Sequence, residues 1–392
     1  MSRFLLVVPP LVGHINPLVG VAAELVERGH EVAWVGVPEL VRGLSGEHAT
    51  VFPADAGDVT KVRDRPAGLR GMAALRVLWT DLLVPMADFM APGVRAAIEE
   101  FVPDVMVCDQ QAMAGGLLAE LLGLPWATSA STPTELTTEY LPGVESWIAE
   151  QVDGLRERIG DPKSKIDPRF SPDLVLAFTT QALTGSDIEV GEQVRFVGPS
   201  IGARPLVADF PWERLDPARR KVLISLGTAN PAAVERFLTV SAEAALARSS
   251  QLQAVIVDPS GALGEPGDNV IVRPKVPQLS LLPHLDAVVC HAGHNTVCES
   301  LWHGLPLVVA PIRDDQGDVA SKVVEAGAGI RLRFTRATDR HVGDAIDRVL
   351  NEQSYHEAAQ RIQRSFRAAG GSVAAAEHLE RLSRKQHAVA SG

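Results

Sequence analysis

The chain has 392 residues, which at roughly 100–200 residues per domain favours two domains. Its formal net charge of −11, with no long Lys/Arg cluster, argues against nucleic acid or an anionic membrane as partner. Hydrophobic residues make up 46% and charged residues 22%, a globular composition with ample core, and three Cys are too few for a disulfide framework.

In chain order, "RFLLVVP" (3–9) reads as a buried strand. A helix over 17–30 follows, with Pro17 at its first position and Gly29 at its stop. Strands "EVAWVGV" (31–37), "TVFPA" (50–54), "DVMVCD" (104–109) and "PWATSA" (125–130) come next, with helical runs at about 71–99 and 111–122. That rhythm is a parallel sheet covered on both faces. Residues 131–220 are less regular, with strands at 173–179 and 194–199 and a Pro/Gly-rich linker at 206–218. The rhythm then restarts with strands at 221–228, 252–258, 269–276, 287–293, 305–312 and 328–334. Helices fall near 231–248, 278–284, 295–303, 316–326 and 339–350. A long helical pattern over 353–385 has one break at Gly370–Gly371, and the tail after Arg384 reads as frayed. The expected units are 1–205, 219–355 and a terminal helix 356–392 that returns to the first unit. The N-terminal apolar run is short for a signal peptide and no apolar run reaches ~18 residues, so a cytoplasmic protein without a membrane span is expected.

The stretch "VVCHAGHNTVCESLWHG" (288–304) holds two Cys and three His. Cys290 and His291 are neighbours on a strand and point to opposite faces, and His294 with Cys298 makes only one pair at helical spacing, so a metal site is disfavoured. The alternative is a phosphate seat, in which a strand ends at "AGHN" and a helix N-terminus follows. Ala292 and Gly293 then leave room for a ligand, and His291, Asn295 and Thr296 add donors. A simple helix cap at His294 or Asn295 is the competing role.

The run "KVPQLSLLPHLDAVVCHAGHNTVCESLWHGLPLVVAPIRDDQGDVA" (275–320), together with "PPLVGHINP" near the N-terminus, resembles family 1 glycosyltransferases of the UGT-like type. The likeness spans essentially the whole chain and is nearest to bacterial natural-product members. It implies an α/β GT-B fold of two doubly wound Rossmann-like domains facing a central cleft. It also implies that His291, Gly293, Asn295 and Thr296 seat the donor diphosphate, with Ser225, Gly227 and Thr228 nearby. Glu299 would take the ribose, Val276 and Gln278 the nucleobase, and Asp315 and Gln316 the sugar hydroxyls. Lys275 stands where Trp is common in the family, which weakens any choice between uracil and thymine.

His14 follows the first strand, and Asp109 ends another strand of the same sheet. Read alone, each is also a helix-capping residue. The resemblance makes His14 the general base and Asp109 its partner in an inverting, metal-independent transfer from a UDP- or dTDP-sugar to an apolar hydroxylated aglycone. Neither a cofactor nor a metal is expected. The expected partners are the aglycone and the nucleotide sugar, with the chain a monomer or homodimer. Trp79, Met86, Phe89, Met90 and Trp147 are the candidate acceptor contacts, with plain helix core as the alternative. A nicotinamide dehydrogenase is set aside because "GALGEPG" (261–267) has the wrong spacing. A catalytically silent partner protein and a sugar-nucleotide epimerase of the same fold are the remaining alternatives.

Overall fold

The computed structural model describes residues 1–57, 71–136, 141–185, 189–202, 209–227, 231–313 and 315–390. Strand β1 (Arg3–Val7) shows how the sequence makes a two-faced layer: Leu5 and Val7 enter one core, while Phe4 and Leu6 enter another. A continuous apolar run is needed because successive side chains face opposite sides and both sides are covered.

The chain divides into two compact units, the first comprising Met1–Thr180, Asp187–Pro205 and Ala369–Gly392, the second Gln181–Ser186 and Leu206–Ala368. The first holds a parallel sheet of β1, β2 (Glu31–Gly36), β3 (Thr50–Pro53), β4 (Val105–Asp109), β5 (Trp126–Ala130), β6 (Val175–Ala177) and β7 (Val194–Phe196), in the order β3-β2-β1-β4-β5-β6-β7. Helices α1 (Val12–Glu27) and α2 (Pro38–Ser45) cover one face. The other is covered by α3 (Gly71–Leu78), a π-helical turn (Trp79–Leu83), α4 (Val84–Phe101), α5 (Met113–Leu121) and α6 (Pro142–Ile159).

The second unit holds β8 (Arg220–Ser225), β9 (Leu252–Val257), β10 (Val270–Arg273), β11 (Ala287–Cys290), β12 (Leu307–Val309) and β13 (Gly329–Arg331), in the order β10-β9-β8-β11-β12-β13. Besides the single turn Gln181–Thr184, its helices are α7 (Pro231–Leu246), α8 (Gln278–Leu281), α9 (His294–Trp302), α10 (Gln316–Glu325), α11 (Asp339–Asn351) and α12 (Gln353–Ala369). The strand order reverses between β1 and β4 in one sheet and between β8 and β11 in the other, and ligands of open parallel sheets bind at such switch points.

Four expectations change. Helix α1 starts at Val12, with Pro17 inside it, because the His14 and Ile15 N–H groups already close a turn on the Leu11 carbonyl at 2.9 and 3.1 Å. His14 therefore sits in the first turn of α1, ahead of the helix start expected at Pro17. The less regular region contains the 18-residue α6, whose Ile148, Val152 and Leu155 reach the core. The stretch 209–218 is not a loose linker: Phe210 is buried and stacks edge-on with Trp212 at 4.9 Å, and Trp212 meets His284 at 5.4 Å. Finally, the long C-terminal pattern breaks at Gly370–Gly371 as expected, but it returns to the first unit there and not at 356. Ala358, Ala359, Ile362 and Phe366 of α12 lie in a core of the second unit. After Gly370 and Gly371, both with positive φ, helix α13 (Gly371–Ala390) places Ala375, Ala376, Leu379 and Leu382 in the first, and its backbone continues past Arg384.

Among the described residues, Gly71–Phe101 is the one helical stretch long and apolar enough to cross a membrane by length and composition. Its Trp79, Met86, Met90 and Val94 are buried in the core of the first unit.

Candidate active site

The switch point of the first sheet carries a three-residue cluster. His14 is on α1 just past β1, Asp109 is the last residue of β4, and Ser131 follows β5. His14 Nδ1 lies 2.9 Å from Asp109 Oδ1 and 2.7 Å from Ser131 Oγ, and Ser131 Oγ donates to Asp109 Oδ2 at 2.6 Å. The Asp109 side chain is fully buried and also accepts the Gln111 N–H at 2.9 Å, so it caps the turn as well as holding the imidazole. An ionised carboxylate only accepts, so in the neutral imidazole the Nδ1 facing it carries the proton and Nε2 carries the lone pair. That is the tautomer a general base needs. Ser131 carries no local sequence signal. It becomes visible only once β4 and β5 are paired, Asp109 against Ser129.

Glu135, on the short 3-10 turn Pro133–Leu136, was likewise not singled out from sequence. Burial pushes its carboxyl above the usual range, opposed by Arg169 at 3.5 Å and by the charge of His14.

The second switch point carries the other residues. Ser225 ends β8 and pairs in register with Cys290, and His291 follows directly. A side chain at Gly227 would lie 2.8 Å from His291 Cε1, and one at Gly293 2.6 Å from its Nε2. The space that these glycines leave is filled by the His291 ring, which corrects the expectation that Gly293 clears room for a ligand. The residue with strained backbone is Ala292, at φ 66, fully buried between them. Burial pushes the His291 imidazole down to about 4, against the raising effect of the Ser225 carbonyl and with help from the Arg313 charge. Nδ1 is buried without a partner at hydrogen-bonding geometry, although the Ser225 carbonyl is near enough to act on its charge. His291 thus offers a neutral donor at neutral pH. Arg313, a cation beside this turn, was missed because it lies in another loop.

Asn295 and Thr296 occupy the first turn of α9, after Gly293 as its N-cap. Glu299, one turn on, is 3% exposed and accepts from Gln278 Nε2 at 2.6 Å, so the two residues assigned to ribose and nucleobase are hydrogen-bonded to each other. Val276 is beside them in sequence, its carbonyl accepting from the Gln278 N–H at 2.9 Å. Asp315 is the N-cap residue of α10. Gln316 is buried, and its Oε1 accepts the Ile312 and Arg313 N–H groups at 2.9 and 3.0 Å, which leaves its NH₂ to point elsewhere. Thr228 lies outside the described residues.

Cys108, Cys290 and Cys298 are buried thiols. Burial raises those of Cys108 and Cys290, the latter up to about 12. His294 Nε2 lies 3.4 Å from Cys298 Sγ. No group of three or more His, Cys, Asp or Glu able to hold a metal occurs among the described residues. Burial and the Arg367 charge push the His303 imidazole below its usual value, against the charge that a helix C-terminus favours.

The acceptor candidates separate. Trp79, Met86 and Met90 are at most 1% exposed, and Trp79 packs edge-on against the half-buried Trp147 at 6.3 Å with the Arg169 guanidinium 5.2 Å above it. Phe89 is 51% exposed. It lines, with Ala56, Gly57, Thr80, Asp81 and Met86, a cavity of about 230 Å³. Ala56 and Gly57 follow β3, so they share the carboxyl edge of the sheet with His14.

A family model described as UDP-glucoronosyl and UDP-glucosyl transferase matches residues 204–367. The chain is 30% identical to 4'-demethylrebeccamycin synthase of Lentzea aerocolonigenes over 97% of its own length and 99% of that protein. It is 28% identical to demethyllactenocin mycarosyltransferase of Streptomyces fradiae, covering 97% and 87% of the two chains. Among solved structures, the glycotransferase of kitacinnamycin superposes with a TM-score of 0.79 at 27% identity, covering 97% of this chain and 98% of that one.

Proposed function

The chain belongs to the UDP-glucoronosyl and UDP-glucosyl transferase family of glycosyltransferases and has the GT-B fold. From that premise we propose that it transfers a hexose or deoxyhexose from a UDP- or dTDP-sugar to a hydroxyl of an apolar natural-product aglycone, with inversion at the anomeric carbon. The observation that carries this reading is the His14–Asp109 pair, held at 2.9 Å at the switch point of the first sheet. The names of its relatives, a demethylrebeccamycin synthase and a demethyllactenocin mycarosyltransferase, support the aglycone class.

In the proposed reaction His14 Nε2 takes the proton of the acceptor hydroxyl as its oxygen bonds to the anomeric carbon. The bond from that carbon to the diphosphate breaks on the opposite face, and its electron pair leaves with the nucleotide. Asp109 compensates the imidazolium, which then returns its proton to water. The diphosphate charge meets the N-terminus of α9, the His291 N–H and Arg313. Glu299, oriented by Gln278, accepts from the ribose, and the NH₂ of Gln316 and the Asp315 carboxylate serve the sugar. No step runs through a metal. A silent partner protein has no use for an imidazole held this way by a buried carboxylate.

A mass-spectrometric screen crossing UDP- and dTDP-sugars with hydroxylated polyketide, macrolide, flavonoid and carotenoid acceptors tests the reading. It predicts a product heavier than the aglycone by one glycosyl residue. Failure of the purified protein to bind any nucleotide sugar contradicts it.

A further inference from the structure

We propose that Ser131 is a positioning residue for His14, and that its effect on the tautomer reverses sign according to whether Asp109 is present. The inference rests on His14 being the base. Ser131 is 5% exposed and its place is fixed by backbone: its N–H donates to the Ser129 carbonyl at 3.0 Å, and the next N–H, of Thr132, donates to Gln110 Oε1 at 3.1 Å. Its Oγ is therefore presented to two groups at once, His14 Nδ1 at 2.7 Å and Asp109 Oδ2 at 2.6 Å.

A hydroxyl has one proton and two lone pairs, so it must choose. With Asp109 ionised, the proton goes to the carboxylate, the stronger acceptor. A lone pair is then turned to His14, and the Nδ1–H is shared between Oδ1 and Oγ. The reverse arrangement, Ser131 donating to a bare Nδ1, would set that nitrogen's lone pair against a carboxylate oxygen 2.9 Å away. Remove the carboxylate and this constraint disappears. The hydroxyl loses its acceptor, turns to Nδ1, and drives the imidazole proton to Nε2, the nitrogen that has to accept. Asp109 thus does more than compensate charge: it decides which way Ser131 points. Ser131 supports the base in the intact cluster and opposes it when Asp109 is gone.

Long-range nitrogen-15 spectra of histidine-labelled protein read the tautomer directly and need no substrate. The His14 signals are assigned by their loss in His14→Gln. Wild type and Ser131→Ala are expected to show Nδ1–H, Asp109→Ala Nε2–H, and Asp109→Ala/Ser131→Ala a mixture. With the donor and acceptor found in the transfer screen, kcat falls about 3–10-fold in Ser131→Ala, the worth of one hydrogen bond, with KM unchanged, and Ser131→Thr restores it. Asp109→Ala falls about 10²–10⁴-fold, and adding Ser131→Ala to it raises kcat again. A wild type with Nε2–H, an Asp109→Ala variant that keeps Nδ1–H, or a double variant slower than Asp109→Ala overturns the proposal. The wild-type measurement stands even where a variant does not fold. His14→Gln separates the two readings. Unimpaired transfer in that variant removes the base assignment. Lost transfer, with tautomers indifferent to Ser131, removes only the role of Ser131.

Discussion

In the proposed reaction His291 and Arg313, brought together from two loops, couple charge to binding. A buried imidazole held down at about 4 while its unfolded value is near 6.5 binds fewer protons folded than unfolded between those limits. It costs no stability above the unfolded value, and the ligand-free protein loses stability as pH falls through it. Urea unfolding at pH 7 and pH 5 is expected to differ by on the order of 1–2 kcal/mol more in wild type than in His291→Gln. A bound diphosphate pulls the imidazole value up, so nucleotide binding should tighten as pH drops over that range, and Arg313→Leu should raise the donor KM with little change in stability. His14, Asp109, Gln278 and Glu299 were singled out because they stand where a family resemblance assigns roles, while the hydrogen bond between Gln278 and Glu299 appears only in the structure. Ser131, Glu135 and Arg313 were not, because what makes them significant is the neighbour that strand pairing brings to them from another loop.

At the scale of elements, the thirteen expected strands are present within a few residues, the central ones because residues buried on both faces leave an uninterrupted apolar run. Helix ends were harder. Pro17 reads as a first-turn residue yet sits inside α1, and α6 buries only a thin stripe, its other positions being largely charged or polar, so no broad apolar face announces it. The return of α13 rests on packing against α1 and on Glu380, which bonds His30 Nε2 at 3.0 Å and Arg28 at 3.3 Å. The His30 bond, with Arg28 behind it, holds the Glu380 carboxyl below its usual range. That stabilisation is present above the unfolded value and is lost as pH falls through the folded one. Thermal melts should show Glu380→Gln less stable than wild type near neutrality, with the gap closing below about pH 4. In the apolar stretch 71–101 the acceptor candidates divide between core and surface. Trp79→Ala should cost about 3–5 kcal/mol as a core deletion. Phe89→Ala should leave the melt almost unchanged and raise KM for the acceptor alone.

At the scale of the molecule, two sheets each reverse their strand order once, and each reversal carries one half of the proposed chemistry: a base with its carboxylate in the first unit, an anion seat beside a buried neutral imidazole in the second. The fold was legible because doubly wound sheets repeat a strong strand–helix rhythm. The boundary at 205/206 was legible as well, whereas the point at which the chain returns to the first unit was not, since it is set by which core the last helices enter. The central claim is that His14 removes the acceptor proton, and the most direct measurement is the transfer rate of His14→Ala set against its affinity for the nucleotide. The account predicts a fall in kcat of about 10²–10⁴-fold with the nucleotide Kd unchanged. Transfer to an alcohol at near wild-type rate by that variant would contradict it.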